Sequence, residues 1–174
     1  EPGALAKLKS RTQTPLPTPA ERIDAAEAMV KETGARIGYG GNVACYSPFR
    51  DVITMPTPEQ FADMPKFYGT LFHELGHWTG HESRLKRLTP AKFGSPAYAF
   101  EELVAELCAA FVSAEFGWET VSQSAAYLAG WVTACKAEPD MLAKAASLAA
   151  KAADLIIGSK INAFGIEESE EIEA

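Results

Sequence analysis

The pattern of apolar and polar positions divides the chain into helical and strand-like segments. Apolar residues at helical spacing follow the start signal Thr18-Pro19-Ala20-Glu21 and stop at Gly34, which predicts a first helix over about residues 19–33. Between Ala35 and Met55 the period changes to that of strands, and short apolar runs alternate with turns. This stretch predicts a small antiparallel sheet.

Helical patterns return after the sheet, with one loop among them. Proline-containing start signals or Ala-rich apolar stripes predict further helices, namely a short one from Thr57 and longer ones over about 63–80, 95–116, 122–137 and 139–157. A loop is expected over about residues 82–93. The expected fold class is therefore α+β, mainly helical with a small antiparallel sheet.

The two ends of the chain lack any sustained period. Residues 1–17 combine polar side chains with three prolines and are interpreted as a linker or flexible N-terminus, whereas the acid-rich residues 159–174 are interpreted as a flexible tail. Residues 18–158 lie between them, and a chain of 174 residues with 47% hydrophobic side chains can bury one core. The sequence thus predicts a single domain.

Composition restricts the classes of partner. The net charge of −7 and a pI of about 5.0 disfavour non-specific nucleic-acid binding, which needs clustered Lys and Arg. No apolar run is long enough to cross a bilayer, so no membrane span is expected. Cys45, Cys108 and Cys135 are odd in number and widely spaced, which indicates reduced, buried thiols and a cytoplasmic location.

A local basic cluster stands out in this acidic chain. Its members are Arg84, Lys86, Arg87 and Lys92, all within the predicted loop. The favoured interpretation is a solvent-exposed loop, and the alternative is a patch that binds an acidic partner.

The strongest chemical signal lies in the helix predicted over about 63–80. There His73, Glu74 and His77 form an H-E-x-x-H pattern, in which one helix offers two imidazoles to a metal ion and one carboxylate to water. The two histidines lie roughly 40° apart around the helix and roughly 6 Å apart along it, so both can reach one Zn²⁺ ion. Glu74 falls within the same arc and is the candidate catalytic acid/base.

Such a site needs a third protein ligand, because catalytic zinc usually takes three side chains and a water. The later acidic helix offers Glu102 and Glu106, which are four residues apart and share one face. One of them is expected to bind the metal, while the other accepts the free N–H of a ligand histidine. Glu101 points roughly 100° away from Glu102 and is expected on a solvated face.

Two other residues near the motif have competing interpretations. His81 would lie about 12 Å from His73 along a continuous helix, too far to share an ion, and is expected to cap or anchor the loop. Tyr98, near the start of the acidic helix, is expected to pack in the core, and the alternative is an oxyanion donor.

Several stretches taken together are typical of one known family. They are Phe72–Leu85 around the motif, Phe93–Ser95, Tyr98–Leu107 with the acids, Ala44–Pro48 with Asp51–Pro56, and Tyr127–Ala129 with Trp131. Over about residues 19–157 the chain resembles the C-terminal zincin-like metallopeptidase domain of ArdC-type antirestriction proteins. Related domains occur in polyvalent proteins and conjugative primases.

The resemblance implies a zincin-like fold and a zinc-dependent peptidase. By similarity to gluzincin-type sites, Glu102 is preferred as the third metal ligand and Glu106 as the partner of a histidine, with the reverse assignment left open. It also implies Zn²⁺ as the cofactor and Glu74 as the acid/base. A protein or peptide substrate would bind extended against the strand near residues 43–46.

The physiological role that the resemblance implies lies around mobile DNA, in antirestriction. Larger members of the family carry an N-terminal domain that binds single-stranded DNA. No such domain is evident in this sequence, so nucleic acid is not an expected partner of this domain alone. The alternative to an enzyme is a non-catalytic, zinc-containing module that protects incoming DNA by sequestering a host protein.

Overall fold

The computed structural model describes residues 18–119 and 139–158. Within these ranges lie helices α1 (Pro19–Glu32), α2 (Met64–Thr79), α3 (Pro96–Glu115) and α4 (Pro139–Ile157), and strands β1 (Ile37–Tyr39), β2 (Cys45–Ser47) and β3 (Val52–Met55). A 3₁₀ turn over Pro58–Gln60 precedes α2. None of the helices described is both long and apolar enough to cross a bilayer.

This architecture confirms the α+β class, with helices predominating over a small sheet. The linker predicted over 1–17, the helix predicted over about 122–137 and the tail predicted over 159–174 lie outside the described residues. Of the cysteines, Cys108 is buried as expected, whereas Cys45 is exposed on β2, so its predicted burial is wrong. Cys135 also lies outside the described residues.

Side-chain caps fix where the helices begin. At α1 the backbone N–H of Thr18 donates to the Glu21 carboxylate at 2.7 Å, one half of a capping box. The side chain of Asp63 accepts a backbone N–H at the start of α2, and that of Ser95 does so at the start of α3. Each cap satisfies a donor that the helix itself leaves free, and the predicted helix starts are confirmed.

The sheet is mixed, so the fully antiparallel sheet expected from the sequence is wrong. β2 and β3 form an antiparallel hairpin, but β1 pairs with β3 in parallel, which gives the strand order β1-β3-β2. After β1 the chain crosses to the opposite edge of the sheet and forms β2 there, and the hairpin then returns it towards β1. β3 therefore enters between the other two strands, and β2 is left at an edge.

The core depends on a close approach of α2 to α3 at Gly76. A Cβ atom placed on Gly76 would lie 3.0 Å from the Cα atom and 3.2 Å from the carbonyl oxygen of Ala105. Phe72, Leu75 and Leu103 are buried around this contact. α3 also packs against α4, whose buried face is built largely from alanines. Small residues thus set the spacing of the helices.

Arg84 folds back onto the end of α2, so its expected exposure in a solvated loop is wrong. Its Nε donates to the Trp78 carbonyl oxygen at 2.6 Å, and its guanidinium carbon lies 3.9 Å from the centroid of the Trp78 ring. It also forms an ion pair with Asp51, which accepts the Tyr46 hydroxyl at 2.8 Å. Carbonyl groups at a helix C-terminus attract cations, and Arg84 therefore ties α2 to the β2–β3 hairpin.

Gly76→Val is expected to lower the free energy of unfolding by about 1–3 kcal/mol, because the added methyl groups would force α2 away from Ala105. Urea unfolding of the wild type, Gly76→Val and Ala150→Val measures this loss. Ala150 is an exposed position of α4 and serves as the control. Equal losses in the two variants would show that β-branching in a helix, and not the close approach, causes the effect.

Asp51→Asn is expected to reduce the loss of folding stability that the protein shows as the pH falls. Hydrogen bonding to Arg84 lowers the pKa of Asp51 to about 2, although burial opposes this. Because this pKa is below its unfolded value, the carboxylate stabilises the fold near neutral pH, and the contribution is lost as the pH falls from about 4 towards 2. Asparagine tolerates the φ of 50° at this position.

Thermal unfolding of both proteins at about pH 7 and about pH 2.5 checks this expectation. The wild type is expected to be more stable near neutrality, and the difference in melting temperature should shrink in acid. A difference that does not change with pH would contradict the role of the Asp51 charge.

Candidate metal centre

Helix α2 turns both motif histidines towards α3. The centroids of the two rings lie 4.8 Å apart, and their Nε2 atoms are 3.2 Å apart. Phe72, Leu75 and Trp78 of the same helix are buried in the core. This burial fixes the rotation of α2 about its axis, and with it the direction of the imidazoles.

Glu102 of α3 completes a group of three. Its Oε2 lies 3.5 Å from His73 Nε2, and its Oε1 lies 3.5 Å from His77 Nε2. One ligand atom from each of the three residues lies within 4.8 Å of the other two. Two imidazoles and one carboxylate that converge in this way fit the donor set of catalytic zinc sites, which keep one position open for water.

The outer nitrogen of each imidazole has a carboxylate of its own. His73 Nδ1 lies 2.9 Å from Glu106 Oε2, and His77 Nδ1 lies 3.1 Å from Glu101 Oε1. A carboxylate at Nδ1 holds the proton there and leaves the Nε2 lone pair free for a metal. The structure therefore brings Glu102 to the Nε2 side of the histidines and Glu106 to the Nδ1 side of His73.

The solvated position expected for Glu101 is wrong, and so is the exposed position expected for Arg87. Arg87 Nε and Nη2 each donate to one carboxylate oxygen of Glu101, both at 2.8 Å. Nη2 also donates to the Gly76 carbonyl oxygen at 2.7 Å. The two side chains are only 7% and 16% exposed. The Glu101 carboxylate can be buried because the Arg87 guanidinium neutralises it and donates hydrogen bonds to it. Helical spacing in the sequence does not reveal this ion pair.

Carboxylates dominate the electrostatics between the two helices. Burial lowers the pKa of His73, but hydrogen bonds to Glu102 and Glu106 outweigh it and raise that pKa to about 10. Burial raises the pKa of Glu102, whereas hydrogen bonds from His73 and His77 hold it well below its usual range. The point where the Nε2 atoms and Glu102 converge thus favours positive charge, which a divalent cation can supply in place of protons.

Glu74 lies beside this group with only 7% of its surface exposed. Burial raises the pKa of its carboxyl group above the usual value, while the neighbouring His73 and His77 and a hydrogen bond with the backbone of Tyr46 oppose the shift. A raised pKa suits a group that must accept and return a proton near neutral pH.

Tyr98 and His81 occupy separate places. The Tyr98 side chain hydrogen-bonds to Glu102, and its ring centroid lies 4.9 Å from that of Phe93. Tyr98 lines a cleft and does not pack in the core, so that expectation is wrong, and its role as an oxyanion donor stays a prediction. His81 Nδ1 lies 2.8 Å from Ser83 Oγ, an arrangement that anchors the loop as expected.

A cleft of about 650 Å³ opens over the metal-binding group. His73, Glu74 and His77 form its floor, with Arg87, Glu101 and Glu102 beside them. One wall is formed by β2 and its flanks, and the other by residues 88–91 together with the start of α3. The volume falls within the range of sites that bind small molecules or short segments of chain.

Comparison with known proteins places this arrangement in a family. A family model described as a zincin-like metallopeptidase matches residues 24–148. Two Escherichia coli proteins named DNA primase TraC are 42% and 39% identical over 137 residues, which is 78% of this chain but only 10% and 13% of theirs. An uncharacterized Sinorhizobium fredii protein, y4eC, is 37% identical over 144 residues, or 82% of this chain and 47% of its own.

Solved structures give the same result. The Mn(II)-bound antirestriction protein ArdC from a plasmid superposes with a TM-score of 0.67 at 40% identity, covering 81% of this chain and 52% of its own. The metal-free form of ArdC superposes with a TM-score of 0.63 at 40% identity, and the match covers 80% of this chain and 50% of the ArdC chain. The chain therefore spans about half the length of ArdC and a smaller part of the primases. It belongs to the zincin-like metallopeptidase family, with a fold shared by the antirestriction protein ArdC.

Proposed function

We propose that the chain is a zinc-dependent metallopeptidase domain that hydrolyses peptide bonds of a protein or peptide. His73, His77 and Glu102 would hold the ion, and Glu74 would serve as the acid/base. The observation that carries the proposal is the placement of a buried carboxylate beside three convergent ligand atoms on the floor of an open cleft. An ArdC structure of similar fold contains Mn(II), which supports a divalent cation in this fold.

Each residue has a distinct task in this mechanism. When bound, the ion would supply Lewis-acid polarisation of the scissile carbonyl group and would lower the pKa of a water molecule. Glu74 accepts a proton from the attacking water and returns it to the leaving amine, for which its burial and raised pKa are suited. Glu106 and Glu101 hold the Nδ1 protons of the histidines, and Arg87 keeps Glu101 in place.

The substrate would enter along the edge strand. β2 pairs with β3 on one side only, so the backbone groups on its other side that Glu74 does not engage can accept an extended peptide by strand addition. In and around this strand, the cleft is lined by Ala44, Cys45, Tyr46 and Pro48, together with Glu74. A peptide paired there would lie across the floor of the cleft, with a carbonyl group near the proposed metal position.

The names of the relatives suggest the biological setting. They include a plasmid antirestriction protein and DNA primases, so we propose a cytoplasmic role around mobile DNA. The net charge of −7 does not favour nucleic acid as a direct partner of this domain. A host or carried protein is therefore the proposed target.

The competing function is a zinc-containing module that binds and sequesters a protein without cleaving it. Structural zinc sites are normally closed by a fourth protein ligand. Among the residues that the structure describes, the candidate metal group has three members, His73, His77 and Glu102. This open donor set favours the enzyme.

Glu74→Gln is expected to keep the metal and to lower kcat/KM by about 10²–10⁴-fold, because the amide cannot accept the proton of water. His73→Ala is expected to lose both metal and activity. Metal content by mass spectrometry and cleavage of a fluorogenic peptide are measured on both. Glu32→Gln, at an exposed position at the end of α1, is the control. An active Glu74→Gln protein would refute the mechanism, and a metal-loaded wild type that cleaves no protein would favour sequestration.

Glu101→Gln is expected to weaken Zn²⁺ binding by about 10–100-fold without unfolding the protein, because the partner of His77 Nδ1 loses its charge. Competition with a chromogenic chelator measures the affinity, and circular dichroism checks the fold. Glu82→Gln changes an exposed carboxylate of the nearby loop and should leave the affinity unchanged. Identical affinities in the two variants would show that Glu101 serves only to bind Arg87.

A further inference from the structure

Three exposed apolar side chains are neighbours of residues that line the cleft. Among the described residues, the large hydrophobic side chains with the greatest exposure are Phe49 at 98%, Phe93 at 83% and Val43 at 68%. We call these three residues the hydrophobic rim. Exposed apolar groups that gather at one place on a soluble domain mark a binding surface more often than scattered ones do.

The hydrophobic rim is continuous with the proposed active site. Val43 and Phe49 adjoin Ala44 and Pro48, the lining residues that flank β2. At the opposite wall, the ring of Phe93 contacts that of Tyr98, a lining residue, with the centroids 4.9 Å apart and the planes at 52°. Each residue of the rim is therefore a direct neighbour, in sequence or by ring contact, of a residue that lines the cleft.

The walls below the rim carry no charge. Their side chains are neutral, with Tyr46 and Pro48 on one wall and Leu88, Pro90, Tyr98 and Phe100 on the other. An acidic side chain that entered between these walls would lose water and meet only further carboxylates at the floor, whereas an apolar one would gain contacts with the walls.

The charged residues of the cleft all belong to its floor and are engaged there. Apart from the histidines, Arg87 is the one cationic residue among the described lining residues, and its guanidinium already forms an ion pair with Glu101. Glu101 and Glu102 in turn contact the histidines. No arginine or lysine among the described lining residues is therefore left to pair with an acidic side chain of a substrate.

From these observations we propose that the cleft and its hydrophobic rim select an extended polypeptide segment rich in apolar side chains, such as an unfolded or flexible region of a protein exposes. The backbone of this segment would pair with β2, and its apolar side chains would contact Phe49 and Phe93 at the two walls. This inference rests on the proposed peptidase and adds its substrate class.

Single-stranded nucleic acid is the rival occupant, because aromatic rings can also stack on bases. Arg50 and Lys92, next to the two phenylalanines in sequence, would favour phosphate. The floor of the cleft opposes it, because Glu74, Glu101 and Glu102 concentrate negative charge along the path. Charge thus favours a polypeptide.

The test measures binding apart from cleavage. Zn²⁺-loaded Glu74→Gln protein is titrated with fluorescent unstructured peptides of about twelve residues, one apolar and one with Lys and Glu at the same positions. Oligothymidylate of about fifteen nucleotides is the third probe. The rim variant is Phe49→Ser/Phe93→Ser, made in the same background. Leu155→Ser removes a 42% exposed leucine from α4 and is the matched control.

The apolar peptide is expected to bind at least about tenfold more tightly than the charged one, and the rim variant should lose about tenfold while the control keeps its affinity. Equal binding of both peptides, an unchanged rim variant, or tightest binding of oligothymidylate would overturn the inference. Cleavage by the wild type separates the two proposals. Hydrolysis without apolar preference would reject the substrate class alone, and binding without hydrolysis would reject the peptidase alone.

Discussion

The candidate metal centre depends on the contact between Gly76 of α2 and Ala105 of α3. The two helix backbones approach so closely there that a Cβ atom on Gly76 would be 3.0 Å from Ala105 Cα. The histidines at positions 73 and 77 bracket this contact on one helix, and the three acids at 101, 102 and 106 bracket it on the other. A wider separation of the helices would leave the carboxylates out of reach of the imidazoles. The packing of α2 against α3 therefore sets the geometry of the metal site.

Two arginines in the loop that follows α2 connect this loop to the end of α2, to the sheet and to α3. Arg84 binds the Trp78 carbonyl oxygen and Asp51, and Arg87 binds the Gly76 carbonyl oxygen and Glu101. Both therefore use the carbonyl groups at the C-terminal end of α2, where the helix dipole favours cations. Because the same loop forms one wall of the cleft, these contacts hold that wall against the floor and join the sheet, the motif helix and the acidic helix.

Local sequence signals predicted the elements that bear the chemistry. Caps and apolar periodicity gave the starts of α1, α2 and α3, because such signals act within a few residues. The four-residue spacing placed His73 and His77 on one face. The expectations that proved wrong for the sheet, Glu101 and Arg87 all concern partners distant in sequence. Periodicity marks which side of a helix is buried, but it does not show which charge arrives from another segment to make an inward acid stable.

The sequence alone thus determined the family, the motif helix, the acidic helix and the short set of residues able to bind a metal. Tertiary structure decided how the acids are distributed, with Glu102 towards the Nε2 atoms, Glu106 at His73 and Glu101 at His77. It also decided that β2 is an edge strand and that the hydrophobic rim borders the cleft. The reason is that helical and strand periods are local properties, whereas the pairing of charges and the order of strands arise only when distant segments pack together.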